Sequence, residues 1–101
     1  MDGEFRERTT TIELDPPIKD ERQSHSALIV TAPTIGQRRQ AEGHLRRSQD
    51  PEAITKYQVA LVGLCSGINP VLIEQCSAEQ FYTAWEFISG FLSYGRATGI
   101  S

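Results

Sequence analysis

The stretch CSGINPVLIEQC, residues 65–76, holds both cysteines of the chain. Thiols and imidazoles are the side chains best suited to hold a metal or attack a carbonyl, so these residues come first. A zinc centre needs about four nitrogen, sulfur or oxygen ligands, usually supplied as close Cys or His pairs. Cys65 and Cys76 have ten residues between them, and His25 and His44 have no ligand at C-x-x-C or H-x-x-x-H spacing. Without a secretory signal, the two cysteines read as reduced thiols rather than a disulfide. No nucleophile sits in an activating elbow, and TIGQRRQAEG has neither the spacing nor the lysine of a phosphate loop. Glu13, Asp15, Asp20 and Glu21 gather at strand ends and loops, where solvated charge explains them. The expectation is no enzyme, no metal and no cofactor.

The elements around those residues decide what the cysteine stretch is. MDGEFRERTT, residues 1–10, has little to bury and reads as a disordered tail. TTTIEL suits a strand with Ile12 and Leu14 on one face, and Asp15-Pro16-Pro17 is expected to stop it because proline cannot donate to a ladder. After the polar loop KDERQSHS, SALIVTAP predicts a second strand ended by Pro33, giving a β-hairpin over 11–33. Residues 34–94 then read as helical. Thr34 with Gln37 is a capping box opening a helix over 35–48, thinly striped by Ile35, Ala41 and Leu45 and weakened by Gly43.

Asp50-Pro51-Glu52 is a strong helix start, followed by Ile54, Tyr57, Leu61, Leu64 and Cys65 at helical spacing, with Gly67 as the stop. Asn69-Pro70 opens a short helix carrying Val71, Leu72 and Ile73. Ser77 with Gln80 is a second capping box for a last helix, on which Phe81, Ala84, Trp85, Ile88, Phe91 and Leu92 share one broad face and Tyr82 and Phe87 flank it. Residues 95–101 read as a flexible tail. The fold class is therefore α+β: an N-terminal β-hairpin followed by three to four helices in one domain. The cysteine stretch is the hinge between two of them.

Charge bounds the partners. The formal net charge of −3 gives no general pull toward nucleic acid or anionic membrane, and no apolar run approaches the roughly 18 residues of a membrane span. One basic segment, QRRQAEGHLRR, runs against that trend. Arg39, Arg46 and Arg47 along one side of a helix would suit phosphates, as in a small DNA-binding regulator using helix 35–48. Against this, Arg38, Glu42 and Arg46 form an i, i+4 ladder that neutralises part of the same surface. The last helix also has two readings. Its aromatic face is core, and the surplus of Tyr82, Phe87 and Phe91 is more than a hairpin and one helix can cover, leaving a surface for a partner.

Together these stretches resemble the tail assembly chaperones of contractile-tailed bacteriophages and prophages, the E-protein type. That family tends to show I-x-L-x-x-P-I, a strand ending x-x-P-T-x-G, a helix ending L-x-G-L, an I-E-x-L turn and a final helix ending F-L. Here these are Ile12-Glu13-Leu14 with Pro17-Ile18, Pro33-Thr34-Ile35-Gly36, Leu61-Val62-Gly63-Leu64, Ile73-Glu74 and Phe91-Leu92. The likeness spans about residues 11 to 92. Cys76 replaces a common aliphatic residue, and Gln80 replaces a frequent acidic one.

The resemblance implies a chaperone in the host cytoplasm, absent from the mature virion. It would bind the aggregation-prone tape measure protein and help the tail tube protein polymerise around it. It also implies that a second, frameshifted form can exist. The expected partner surface is Tyr82, Phe87 and Phe91, rimmed by Arg39, Arg46 and Arg47. No membrane partner is expected, nucleic acid is disfavoured, and a homo-oligomer is left open.

Overall fold

The computed structural model describes residues 8–99, with side chains as far as Leu92. The architecture is α+β, as the residue pattern predicts. Strands β1 (Thr9–Lys19) and β2 (Ser24–Thr31) form an antiparallel hairpin, followed by α1 (Ile35–Ala41), a 3-10 turn (Glu42–Leu45), α2 (Pro51–Ser66), α3 (Pro70–Ile73) and α4 (Ala78–Gly99). Ile12, Leu14 and Ile18 of β1 and Leu28 and Val30 of β2 point to one buried face, and the helices cover it.

The prolines do not end β1. Pairing holds from Thr9 with Thr31 to Glu13 with Ala27, then resumes at Ile18 with His25, so residues 14–17 bulge opposite Ser26 alone. Proline is tolerated in a bulge, where its missing N–H costs no ladder bond. The Asp15–Pro16 peptide is cis. A strand that crosses the prolines brings Ile18 into the core at 1% exposure. The hairpin closes over residues 20–23, where the Asp20 carboxylate accepts from the Arg22 and Gln23 N–H groups. Those bonds, Gln23 first, hold its pKa below the ordinary value. At the other end β1 starts at Thr9, two residues inside the expected 1–10 tail. Residues 1–7 lie outside the described residues.

Two helix boundaries also differ. Thr34 does form its capping box with Gln37, but the helix predicted over 35–48 stops at Ala41 and tightens into the 3-10 turn containing Gly43. Of its expected stripe only Ala41 is buried, while Ile35 is 67% exposed. At the C-terminal end α4 continues to Gly99, through part of the expected 95–101 tail. Ile100 and Ser101 are outside the described residues.

The α2 helix is the central one. Asp50 caps it through the Ala53 N–H, which with Ser48 holds the Asp50 carboxyl below its usual pKa. Its first half is amphipathic, with Ile54 largely exposed. In its second half Ala60, Leu61, Val62, Gly63 and Cys65 are all buried, because α1, α3 and β2 pack on different sides of it. An α-helix that is apolar all round is the expected form for such a position.

The cysteine stretch is a helix reversal. Gly67 takes the left-handed conformation (φ 69°), and the Gly67 and Ile68 N–H groups both donate to the Gly63 carbonyl. Asn69 then caps α3 through the Val71 N–H at 2.9 Å. The chain folds back so closely that a Cβ on Gly63 would lie 2.8 Å from the Ile68 carbonyl oxygen and 3.3 Å from Pro70 Cγ. A Cβ on Gly43 would meet nothing within 4 Å. Gly63→Ala should therefore lower the urea midpoint by an amount worth about 1–3 kcal/mol, at unchanged m-value. Gly43→Ala, at a helical backbone with open space, should be neutral or raise stability by up to about 1 kcal/mol.

Candidate functional site

Burial is what sets both thiols, and no charged neighbour lowers their pKa. Cys65 is 3% exposed, and burial pushes its pKa up to about 11. Its Sγ has only a long contact of 3.9 Å to Gln37 Oε1. Cys76 is half-buried, and burial raises its pKa too. Both are free. Among the described residues no group of three or more His, Cys, Asp or Glu side chains is placed to hold a metal ion, and no helix is long and apolar enough to cross a membrane.

The hollow of most binding interest is a cleft of about 530 Å³ between α2, α3 and the first turns of α4. Val59, Ile73, Cys76, Phe81 and Tyr82 supply its apolar wall, and Glu52, Thr55, Lys56 and Glu74 supply its rim. Each wall follows from local structure. The Ser77 hydroxyl caps α4 through the Gln80 N–H at 3.2 Å, which fixes where Phe81 and Tyr82 emerge. The α3 turn delivers Ile73 to the floor. Lys56 pairs with Glu52 at 3.6 Å along α2, both ends well exposed, so the pair shapes the rim more than it stabilises the fold. Tyr82 stands 55% exposed beside Phe81, ring centroids 5.3 Å apart and edge to face.

The six predicted partner residues do not make one surface. Tyr82 lines the cleft. Phe87 and Phe91 lie five and nine positions further along α4, which at about 100° per residue turns them to other faces. They are half-buried, packed edge to face at 5.1 Å, with the Arg8 guanidinium 5.7 Å from the Phe91 ring centre. Phe87 also packs on the core. The aromatic surplus is thus partly taken up by the core, by Arg8 and by the Phe87–Phe91 contact, and Tyr82 is the most exposed of the three rings. Trp85 turns inward against Tyr57, ring centroids 5.8 Å apart.

The arginines form a second, separate hollow of about 390 Å³, lined by Arg39, Glu42, Leu45, Arg46 and Gln49. It shares no lining residue with the aromatic cleft, so Arg39 and Arg46 do not rim it, and Arg47 lines neither. Arg38 Nε donates to Glu42 at 2.9 Å as the i, i+4 ladder predicts. Of the cleft's lining the sequence names only Tyr82 as a partner residue; among those it misses are Thr55, Lys56 and Val59. They lie on the α2 flank beside the Tyr57–Leu61–Leu64 stripe, and only the position of α3 and α4 makes that flank a wall.

No protein-family model, curated protein or solved structure matches the chain.

The thiol environments give a direct test. Iodoacetamide at mildly alkaline pH should alkylate Cys76 more slowly than a free thiol, and Cys65 only after denaturant is added, because the thiolate is the reacting form. Burial holds the folded Cys65 pKa above its unfolded value of 9.0. Its contribution to stability is therefore complete below pH 9 and is lost as pH rises toward 11. A denaturation midpoint that stays flat from pH 8 to 11, in a Cys65→Ala-corrected comparison, would contradict this placement.

Proposed function

We propose that the chain is a tail assembly chaperone that transiently holds the tape measure protein of a contractile-tailed phage and releases it to the growing tail tube. The observation that carries the proposal is the cleft at Tyr82: an open, mostly apolar trough with a mixed-charge rim, of the kind that receives one face of an amphipathic helix. A tape measure protein is a long helical chain with such faces repeated along it. A shallow site with one exposed aromatic anchor favours weak, repeated contacts that release readily. The residue pattern shared with the tail chaperones supports the same reading. No catalytic step is needed for it.

The alternative, a small DNA-binding regulator using the arginine segment, is less well supported. The α1 helix has seven residues before it tightens, too short to lay an arginine row along a groove, and Glu42 sits within the hollow that Arg39 and Arg46 line. Co-expression with a tape measure protein tests the proposal. The chain should co-purify with it and keep it soluble, and Tyr82→Ala or Thr55→Arg should weaken capture about tenfold while leaving the thermal midpoint in place. Capture unaffected by both substitutions would remove the cleft from the reading. Duplex binding that falls steeply with salt and is lost in an Arg46→Ala/Arg47→Ala double variant would favour the regulator instead.

A further inference from the structure

The hairpin is the whole sheet, so each strand has one edge that no other strand covers. The two edges are treated differently. The Ala32 N–H donates to the Arg8 carbonyl at 2.8 Å. In an antiparallel ladder that alternation turns the backbone groups of Thr9, Thr11 and Glu13 outward on β1, and of Ala27, Ile29 and Thr31 outward on β2.

The second half of the β1 edge is guarded by side-chain amides, while the outward groups of Thr9 and Thr11 are left open. Gln80 Nε2 donates to the Glu13 carbonyl (3.2 Å), Gln75 Nε2 donates to the Lys19 carbonyl (2.9 Å), and Gln75 Oε1 accepts from the Lys19 N–H (3.0 Å). Between them lies the proline bulge. On β2 the outward N–H and C=O groups of Ala27, Ile29 and Thr31 make no hydrogen bond among the described residues. Thr31 has only its hydroxyl engaged, donating to the Cys65 carbonyl at 3.1 Å. The strand also lacks the usual deterrents to pairing. From Ser24 to Pro33 there is no Lys, Arg, Asp or Glu, and no proline before Pro33. Ile29, on the outer face, is 59% exposed.

We infer that the β2 edge pairs with the β2 edge of a second copy of the chain, antiparallel and about a two-fold axis at Ile29. The two hairpins then become one four-stranded sheet. The edge is its own complement: Ile29 faces Ile29, and Ala27 faces Thr31 on either side, each facing pair exchanging two hydrogen bonds. The exposed Ile29 side chains become cross-strand neighbours, and small Ala27 makes room for Thr31. Both outer edges of that sheet are β1 edges, broken by the proline bulge and guarded at Glu13 and Lys19, which leaves only the short stretch of residues 9–11 for a further strand. A foreign strand would satisfy the same backbone groups, but it would have to match an uncharged, symmetric edge that a second copy matches by construction of the sequence.

Sedimentation of the full chain over a hundredfold concentration range tests this. A reversible monomer–dimer equilibrium is expected, weakened at least about tenfold by Ile29→Lys, which sets two like charges opposite each other. The circular dichroism of that variant should match the parent, because the side chain is already exposed. A second readout does not depend on affinity. In a Cys76→Ser background, Ile29→Cys should form a disulfide-linked dimer on mild oxidation, since facing residues in a bonded pair have Cα atoms about 5.5 Å apart. Ser24→Cys should not, since two copies of residue 24 would be about 33 Å apart in this register. A chain that stays monomeric throughout, a dimer indifferent to Ile29→Lys, or equal crosslinking at 24 and 29 would each overturn the proposal.

Discussion

A two-stranded sheet cannot stand alone in water, and most of this molecule is arranged around that fact. One hairpin offers a single apolar face and a few ladder bonds, too little to offset the entropy of ordering it. Here Ile12, Leu14, Ile18, Leu28 and Val30 form that face, and no third strand shares the burden. The cover must come from helices, so α2 and α4 carry buried Leu61, Val62, Ala84 and Ile88 to meet it. The short α3 exists because α2 and α4 have to be joined without leaving a gap, and it fills that gap with Leu72 and Ile73. The reversal at Gly63 and Gly67 follows from the same demand. Only a chain without a Cβ at Gly63 can fold back closely enough to seat α3 on α2.

Local grammar was legible because it depends on neighbours in sequence. The caps at Thr34, Asp50 and Asn69, the left-handed Gly67 and the hairpin itself are written in a few adjacent residues each. What was not legible depended on partners far along the chain. Pro16 and Pro17 read as a stop because a central strand does not tolerate them. In a two-stranded sheet every strand is an edge, and a bulge accommodates them. The Ser77–Gln80 capping box was half right: Ser77 caps the helix, but the Gln80 side chain is drawn to the Glu13 carbonyl, sixty-seven positions away. Phe87 and Phe91 are half-buried rather than exposed, because Phe87 packs on the core and Arg8 stands over Phe91, contacts that no local pattern announces. The stripe read along α2 misses the burial of Ala60, Val62 and Gly63, which depends on how α1, α3 and β2 pack on that half of the helix.

The same distinction applies to the candidate site. Tyr82 could be named from the sequence as a ring left over from the core. The cleft beside it could not, because its α2 wall is ordinary helix surface until α3 and α4 are placed. The arginines illustrate the reverse: a run that looks like one basic stripe is split by a helix that tightens early and by Glu42 among them, so its members do not act as a row. The thiols are a further case: burial raises the pKa of both Cys65 and Cys76, and that burial depends on how the helices pack rather than on the spacing of the two residues.

The amide bonds from Gln75 and Gln80 to β1 also bear on how the chain is made. They join the first strand to residues synthesised some sixty positions later. During synthesis the hairpin precedes the helices that cover it, and the β1 edge lacks its amide partners until Gln75 and Gln80 follow. The native contacts that protect it are among the last to become available, so the protein passes through a period in which it resembles the sticky clients that chaperones serve.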